Sequence, residues 1–288
     1  MRDTFRLGKI RGISLGMHWS LLLFGALAVS NLATGLLPSL APGFTLFAYG
    51  AIAGLAVVGL FGSILLHELG HALVAQRAGV EVDGITLWLL GGVARLKSEA
   101  RTAGDAFRIA AAGPVVSVGL GVIGGALAVA AWWIEAPLLL VVLLGYLGVV
   151  NTGLALFNLI PALPLDGGRI LQAYLWKRSG KPLDATISAA KVGHTLGSLA
   201  VALGALQVFA GAGNGLWTML LGWFVLSGAK RERRRAEAEK RRRNPPVLTN
   251  FFDQFRGPGG PGSPWGPSTG HPRLGDPIPV RSWEQPRR

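Results

Sequence analysis

The sequence contains no cysteine. A disulfide framework and a thiolate metal site are both excluded, so any metal would have to rest on His, Asp or Glu. Charge is scarce as well. Only 15% of the 288 residues are charged against 50% hydrophobic, and mean hydropathy is +0.44. Residues 44–66 carry no charged side chain, a run long enough to cross a bilayer. Acidic residues are few, 15 against 28 Lys and Arg, for a formal net charge of +13. That excess sits in loops and in the C-terminal tail, where membrane topology and lipid headgroups account for it, so no nucleic-acid partner is expected. No cleavable signal peptide is expected either, because the first apolar run lacks a clear cleavage site and is long enough to span. The composition argues for an all-α polytopic membrane protein over a soluble domain.

Six spans are expected, near residues 18–37, 44–66 (continuing as helix through 77), 106–132, 137–160, 185–210 and 216–229. The loops test this division. Arg2, Arg6, Lys9 and Arg11 precede the first span, Arg95, Lys97 and Arg101 separate the second from the third, and Lys177, Arg178 and Lys181 separate the fourth from the fifth. The alternate connections, 38–43, 133–136 and 211–215, carry no Lys or Arg. This places both termini in the cytoplasm of a cell-membrane protein. Residues 84–96 do not resemble a span. Two short β-prone runs flank Gly91-Gly92 and predict a hairpin turning there, dipping beside the bundle between the second and third spans, with a surface loop as the alternative. Residues 1–229 would form the membrane domain. Beyond it, 230–243 is a dense basic run expected to extend as a helix against anionic lipids, and Asn244-Pro245-Pro246 ends it. The Pro/Gly-rich stretch 257–264 in the remaining tail cannot build a core and is expected to be disordered.

The chemistry begins at His67-Glu68-Leu69-Gly70-His71, at the end of the uncharged run. On a helix, histidines at i and i+4 leave the same face one turn apart, the spacing one zinc ion needs from two nitrogen ligands. Glu68, one residue on from the first, could take a proton from a water beside the metal. Catalytic zinc usually has a third protein ligand. The best candidate is Asp166, in the segment from Asn158 through Pro161, Pro164 and Leu165 to Gly167-Gly168-Arg169. The two prolines should break the fourth span, and the two glycines should permit a sharp turn, so the carboxylate is expected from a non-helical stretch. By the topology above, both segments face the cytoplasm and can meet at similar depth.

These stretches, with Ala112-Gly113-Pro114 in the third span and the opening from Gly12-Ile13 to His18-Trp19, resemble the site-2 protease family of intramembrane zinc metalloproteases. The resemblance covers residues 8–229. It implies one Zn2+ per chain, with His67, His71 and Asp166 as its ligands and Glu68 as the base. Departures are visible. The connection between 77 and 105 is too short for a PDZ domain, and no paired CBS domains are expected after the last span. Relatives often carry Asn three residues after Gly-Pro, where this chain has Ser117, a position given no role at this point.

The implied reaction is hydrolysis of a peptide bond in or beside a transmembrane segment, with regulated cleavage of a membrane-anchored regulator as one setting. An oxyanion formed in it would need a donor. Asn158 is a candidate, with a helix-packing amide as the alternative. The substrate must be unwound, and the 84–96 hairpin could pair with it as a strand, Leu87 and Leu89 being the candidate positions. A non-catalytic scaffold or chaperone that binds transmembrane helices is the alternative from another class, and intact Glu68 argues against it. A transporter is weaker still, since few charges lie within the spans. His194, in the fifth span, is read as a packing residue.

Overall fold

The computed structural model of the chain describes residues 4–88, 91–96 and 98–243. The first apolar stretch is helical over Ser20–Asn31 (α1), loosens into a π turn over Leu32–Leu36 and resumes over Leu37–Leu40 (α2). Leu46–Arg77 (α3) follows, opened by Thr45, whose hydroxyl accepts the Ala48 N–H. Ala103–Trp133 (α4) starts the same way, with Thr102 accepting from the Asp105 N–H. Then come Leu138–Asn158 (α5), Asp166–Ser179 (α6), Pro182–Phe209 (α7) and Gly215–Arg243 (α8).

Among the described residues, five helical segments are long and apolar enough to cross a membrane: Ser20–Leu40, Leu46–Arg77, Ala103–Trp133, Leu138–Asn158 and Pro182–Phe209. The chain is a multi-pass membrane protein. The sixth expected segment is the first half of α8, which runs on unbroken into the basic stretch. The basic run from 230 is helical and continuous with that segment as far as Arg243. The expected disordered stretch 257–264 lies outside the described residues. Large apolar side chains face outward along the spans, Phe47 being 87% and Phe209 90% exposed. That is sustainable only with lipid as the solvent.

Small residues bring the helices close. A Cβ at Gly124 would lie 2.8 Å from the Gly148 nitrogen, so α4 and α5 touch backbone to backbone. Gly70 of α3 meets Ala112 and Val116 of α4 in the same way.

Beside the bundle lies a four-stranded sheet in the order β1 (Phe5–Ile10), β2 (Ile13–Met17), β3 (Val82–Trp88), β4 (Gly91–Leu96). Only the second hairpin was expected. The first had a readable signal in the alternation Ile13, Leu15, Met17 after Arg11-Gly12, two residues with φ of 48° and 82° that turn the chain tightly. β2 and β3 are parallel, and Ile13, Leu15, Ile85 and Leu87 bury one sheet face against α3. The β3–β4 turn is not where Gly91-Gly92 suggested. Trp88 pairs with Gly91, so both glycines belong to β4, and residues 89 and 90, outside the described set, connect the strands.

Candidate active site

His67 and His71 lie well along α3. At about 1.5 Å per residue, His67 is roughly 32 Å from the helix start at Leu46, about the thickness of a hydrocarbon core. His67 is 4% exposed. Its Nε2 lies 3.2 Å from His71 Nε2 and 3.1 Å from Asp166 Oδ2, and His71 Nε2 lies 3.3 Å from the same oxygen. The expected His67, His71, Asp166 trio thus converges from segments 99 positions apart.

Asp166 arrives differently than expected. It is not on a non-helical stretch but is the first residue of α6. Gly167 and Gly168 do not make a sharp turn; they are helical, and their lack of side chains lets the helix start pack on the backbone of 159–163. The preceding segment is clamped by its own side chains. Leu163 packs with Ala189 and Ala190 of α7, and Leu165 with Val225 of α8, while Pro164 lies against Gly228. The first turn of a helix also favours a negative charge.

The side of each ring away from the cluster is fixed by α4. His71 Nδ1 donates to the Ile109 carbonyl at 2.6 Å, and His67 Nδ1 lies 2.9 Å from the Ser117 hydroxyl. Between them, a Cβ at Gly113 would come within 2.6 Å of His67 Nε2 and closer still to His71 Nε2. Ile109, Gly113 and Ser117 recur every four residues, matching the four-residue step from His67 to His71 on the antiparallel neighbour.

This donor set fits a divalent cation. A carbonyl can only accept, so His71 Nδ1 carries the hydrogen and neutral His71 turns a bare Nε2 lone pair inward. Asp166 brings a carboxylate oxygen, which can only accept, within 3.3 Å of both inward-facing ring nitrogens. Electron-rich atoms facing one another at about 3 Å repel unless a cation or proton lies among them. Two imidazoles and one carboxylate, each ring anchored through its other nitrogen, is a zinc-type ligand set.

Glu68 is half-buried beside this cluster and faces the sheet: a Cβ at Gly92 of β4 would lie 2.8 Å from its carboxyl carbon. Other expected positions fare less well. The Asn158 amide donates to the Leu154 carbonyl of its own helix, the packing alternative. Leu87 cannot pair with an incoming strand. It is 4% exposed, β3 has β2 on one side and β4 on the other, and its carbonyl accepts from the His18 N–H. Leu89 lies outside the described residues. Among the described residues the edge strands of the sheet are β1 and β4, and β4 is the one that borders Glu68. Ser117 and Gly113 were missed as site residues, although their four-residue spacing in the third span was a usable signal.

The sequence model of Peptidase family M50 matches residues 55–137 and 124–202. The chain belongs to peptidase family M50. It is 42% identical over 241 residues to Rip3 of Mycobacterium tuberculosis and 33% identical over 239 residues to the zinc metalloprotease MJ0392 of Methanocaldococcus jannaschii. Each alignment covers 83% of this chain but only 61% and 63% of the relative, so the chain spans about three-fifths of their length. The solved site-2 protease from Methanocaldococcus jannaschii matches with a TM-score of 0.54 and 32% identity, over 80% of this chain and 94% of that one.

Proposed function

We propose that this chain is an intramembrane zinc endopeptidase with six spans and both termini in the cytoplasm. It cleaves membrane proteins within or beside a transmembrane segment, including membrane-anchored regulators. The observation that carries the proposal is the meeting of His67, His71 and Asp166 beside Glu68 inside an apolar bundle. Ionisable groups there are costly and mark function.

Bound zinc would supply Lewis acidity, lowering the pKa of a water to about 7 and polarising the scissile carbonyl. The chain's residues do the rest. Asp166 contributes the negative charge that favours the cation, and the two anchored imidazoles fix its position. Glu68 takes the proton of the attacking water and passes it to the leaving amine. The substrate lies extended along the free edge of β4, whose Gly92 backbone borders Glu68, so strand pairing would hold the scissile bond unwound next to the base. The exposed basic side chains at the end of α8 meet anionic lipids.

The test compares purified parent and Glu68→Gln on a transmembrane model peptide in liposomes, with zinc measured in both. The parent should cleave; the variant should hold zinc and lose at least about a hundredfold in rate. Equal cleavage by both would remove the protease mechanism.

A further inference from the structure

Hydroxyl side chains within the spans of this protein mostly bond back to their own helix. Thr34, Ser63, Thr152 and Thr195 each donate to the carbonyl four residues earlier. Ser117 departs from this habit. It is 0% exposed, and its oxygen meets His67 Nδ1 at 2.9 Å, fifty positions away in sequence. The two helices are locked in register at this point. His71 is tied to Ile109, His67 is tied to Ser117, and Gly113 between them gives the rings their space.

The two anchors differ in kind. A backbone carbonyl dictates the tautomer of His71 outright, whereas a hydroxyl can either donate or accept. Only acceptance is compatible with a metal ligand, because a hydrogen on His67 Nε2 would block coordination. Acceptance leaves the Ser117 hydrogen free to turn to a carbonyl of the preceding turn, the bond its counterparts make.

We propose that Ser117 is a positioning residue of the metal centre: its Oγ accepts the His67 Nδ1 hydrogen and so aims an unprotonated Nε2 at the cation. The proposal rests on the reading of His67, His71 and Asp166 as the ligand set. Removing the hydroxyl leaves a buried N–H without an acceptor and lets the other tautomer compete. Outer partners of metal-binding histidines typically account for about 10- to 100-fold in metal affinity.

The experiment measures zinc affinity directly. Full-length parent, Ser117→Ala, Ser117→Thr, Ser117→Val and His67→Ala are purified in detergent and equilibrated in chelator-buffered zinc, with bound zinc counted by mass spectrometry. Helical circular dichroism and the melting of the zinc-free proteins are recorded alongside. Ser117→Ala should bind zinc about 10- to 100-fold more weakly with its helices intact. Thr and Val have nearly the same shape, so Ser117→Thr should stay close to the parent and Ser117→Val should fall with Ser117→Ala. That split isolates the hydroxyl and would not arise from loss of packing. Parent-like zinc affinity in both Ser117→Ala and Ser117→Val overturns the assignment, as does equal weakening in Thr and Val. Should His67→Ala also bind like the parent, the ligand set itself is wrong and the role of Ser117 falls with it.

Discussion

Gly113→Ala should dismantle the metal centre without touching a ligand. The added methyl would sit 2.6 Å from His67 Nε2 and closer to His71 Nε2, where a carbon and a nitrogen normally keep about 3.4 Å. Separating the helices would undo the close packing of Gly70 of α3 on Ala112 and Val116 of α4, so the side chains are the softer element. The rings must therefore rotate. Rotation breaks the bonds from His71 to Ile109 and from His67 to Ser117. Each orphaned buried group costs about 1–3 kcal/mol, so zinc binding should weaken by about 2–6 kcal/mol, at least thirtyfold. Gly119 on the same helix has nothing within 4 Å of its added Cβ, so Gly119→Ala should bind zinc normally and gain stability from helix propensity, up to about 1 kcal/mol. Zinc per chain after dialysis against a graded chelator series reads both variants. Gly113→Ala with parent-like zinc and parent-like circular dichroism would refute the steric argument.

Other outcomes follow from the same geometry. Gly92→Ala places a methyl against the Glu68 side chain, so cleavage should fall about tenfold or more while zinc content stays unchanged. Val93 and Ala94 on β4 point their N–H groups to opposite sides, so proline at the one facing the open edge should slow cleavage of a helical substrate, whereas proline at the other, or at Leu87, should lower the melting temperature by breaking the ladder. Gly148→Leu forces α4 and α5 apart and should cost about 1–3 kcal/mol, seen as a lower melting temperature in detergent. Asp184→Ala removes the exposed contact with Lys240 and a first-turn charge of α7, and should lower stability by no more than about 1 kcal/mol while leaving zinc content as it was.

The membrane character and the clustering of His67, His71 and Asp166 were legible because each rests on a strong local signal: uncharged runs, a helical i, i+4 pair, and an acid flanked by prolines and glycines. What failed was inference about backbone context. Asp-Gly-Gly reads as a turn, yet Leu163 and Leu165 are pinned by α7 and α8 and deliver Asp166 at the head of a helix. Gly91-Gly92 reads as a hairpin tip, yet pairing of Trp88 with Gly91 puts both in a strand, where Gly92 makes room for Glu68. Leu87 looked available because a strand's neighbours are not written in its own residues, and β2 comes from seventy positions upstream. Ser117 and Ile109 acquire roles only through the packing of α4 on α3.

The account stands on one divalent cation held by residues from α3 and from the head of α6. Zinc per chain in Asp166→Ala, with Asp184→Ala as the control carboxylate, tests it most directly. The account predicts one zinc in the parent and in the control, and close to none in Asp166→Ala at chelator-buffered concentrations that saturate the parent. A full complement of zinc in a folded Asp166→Ala would contradict it.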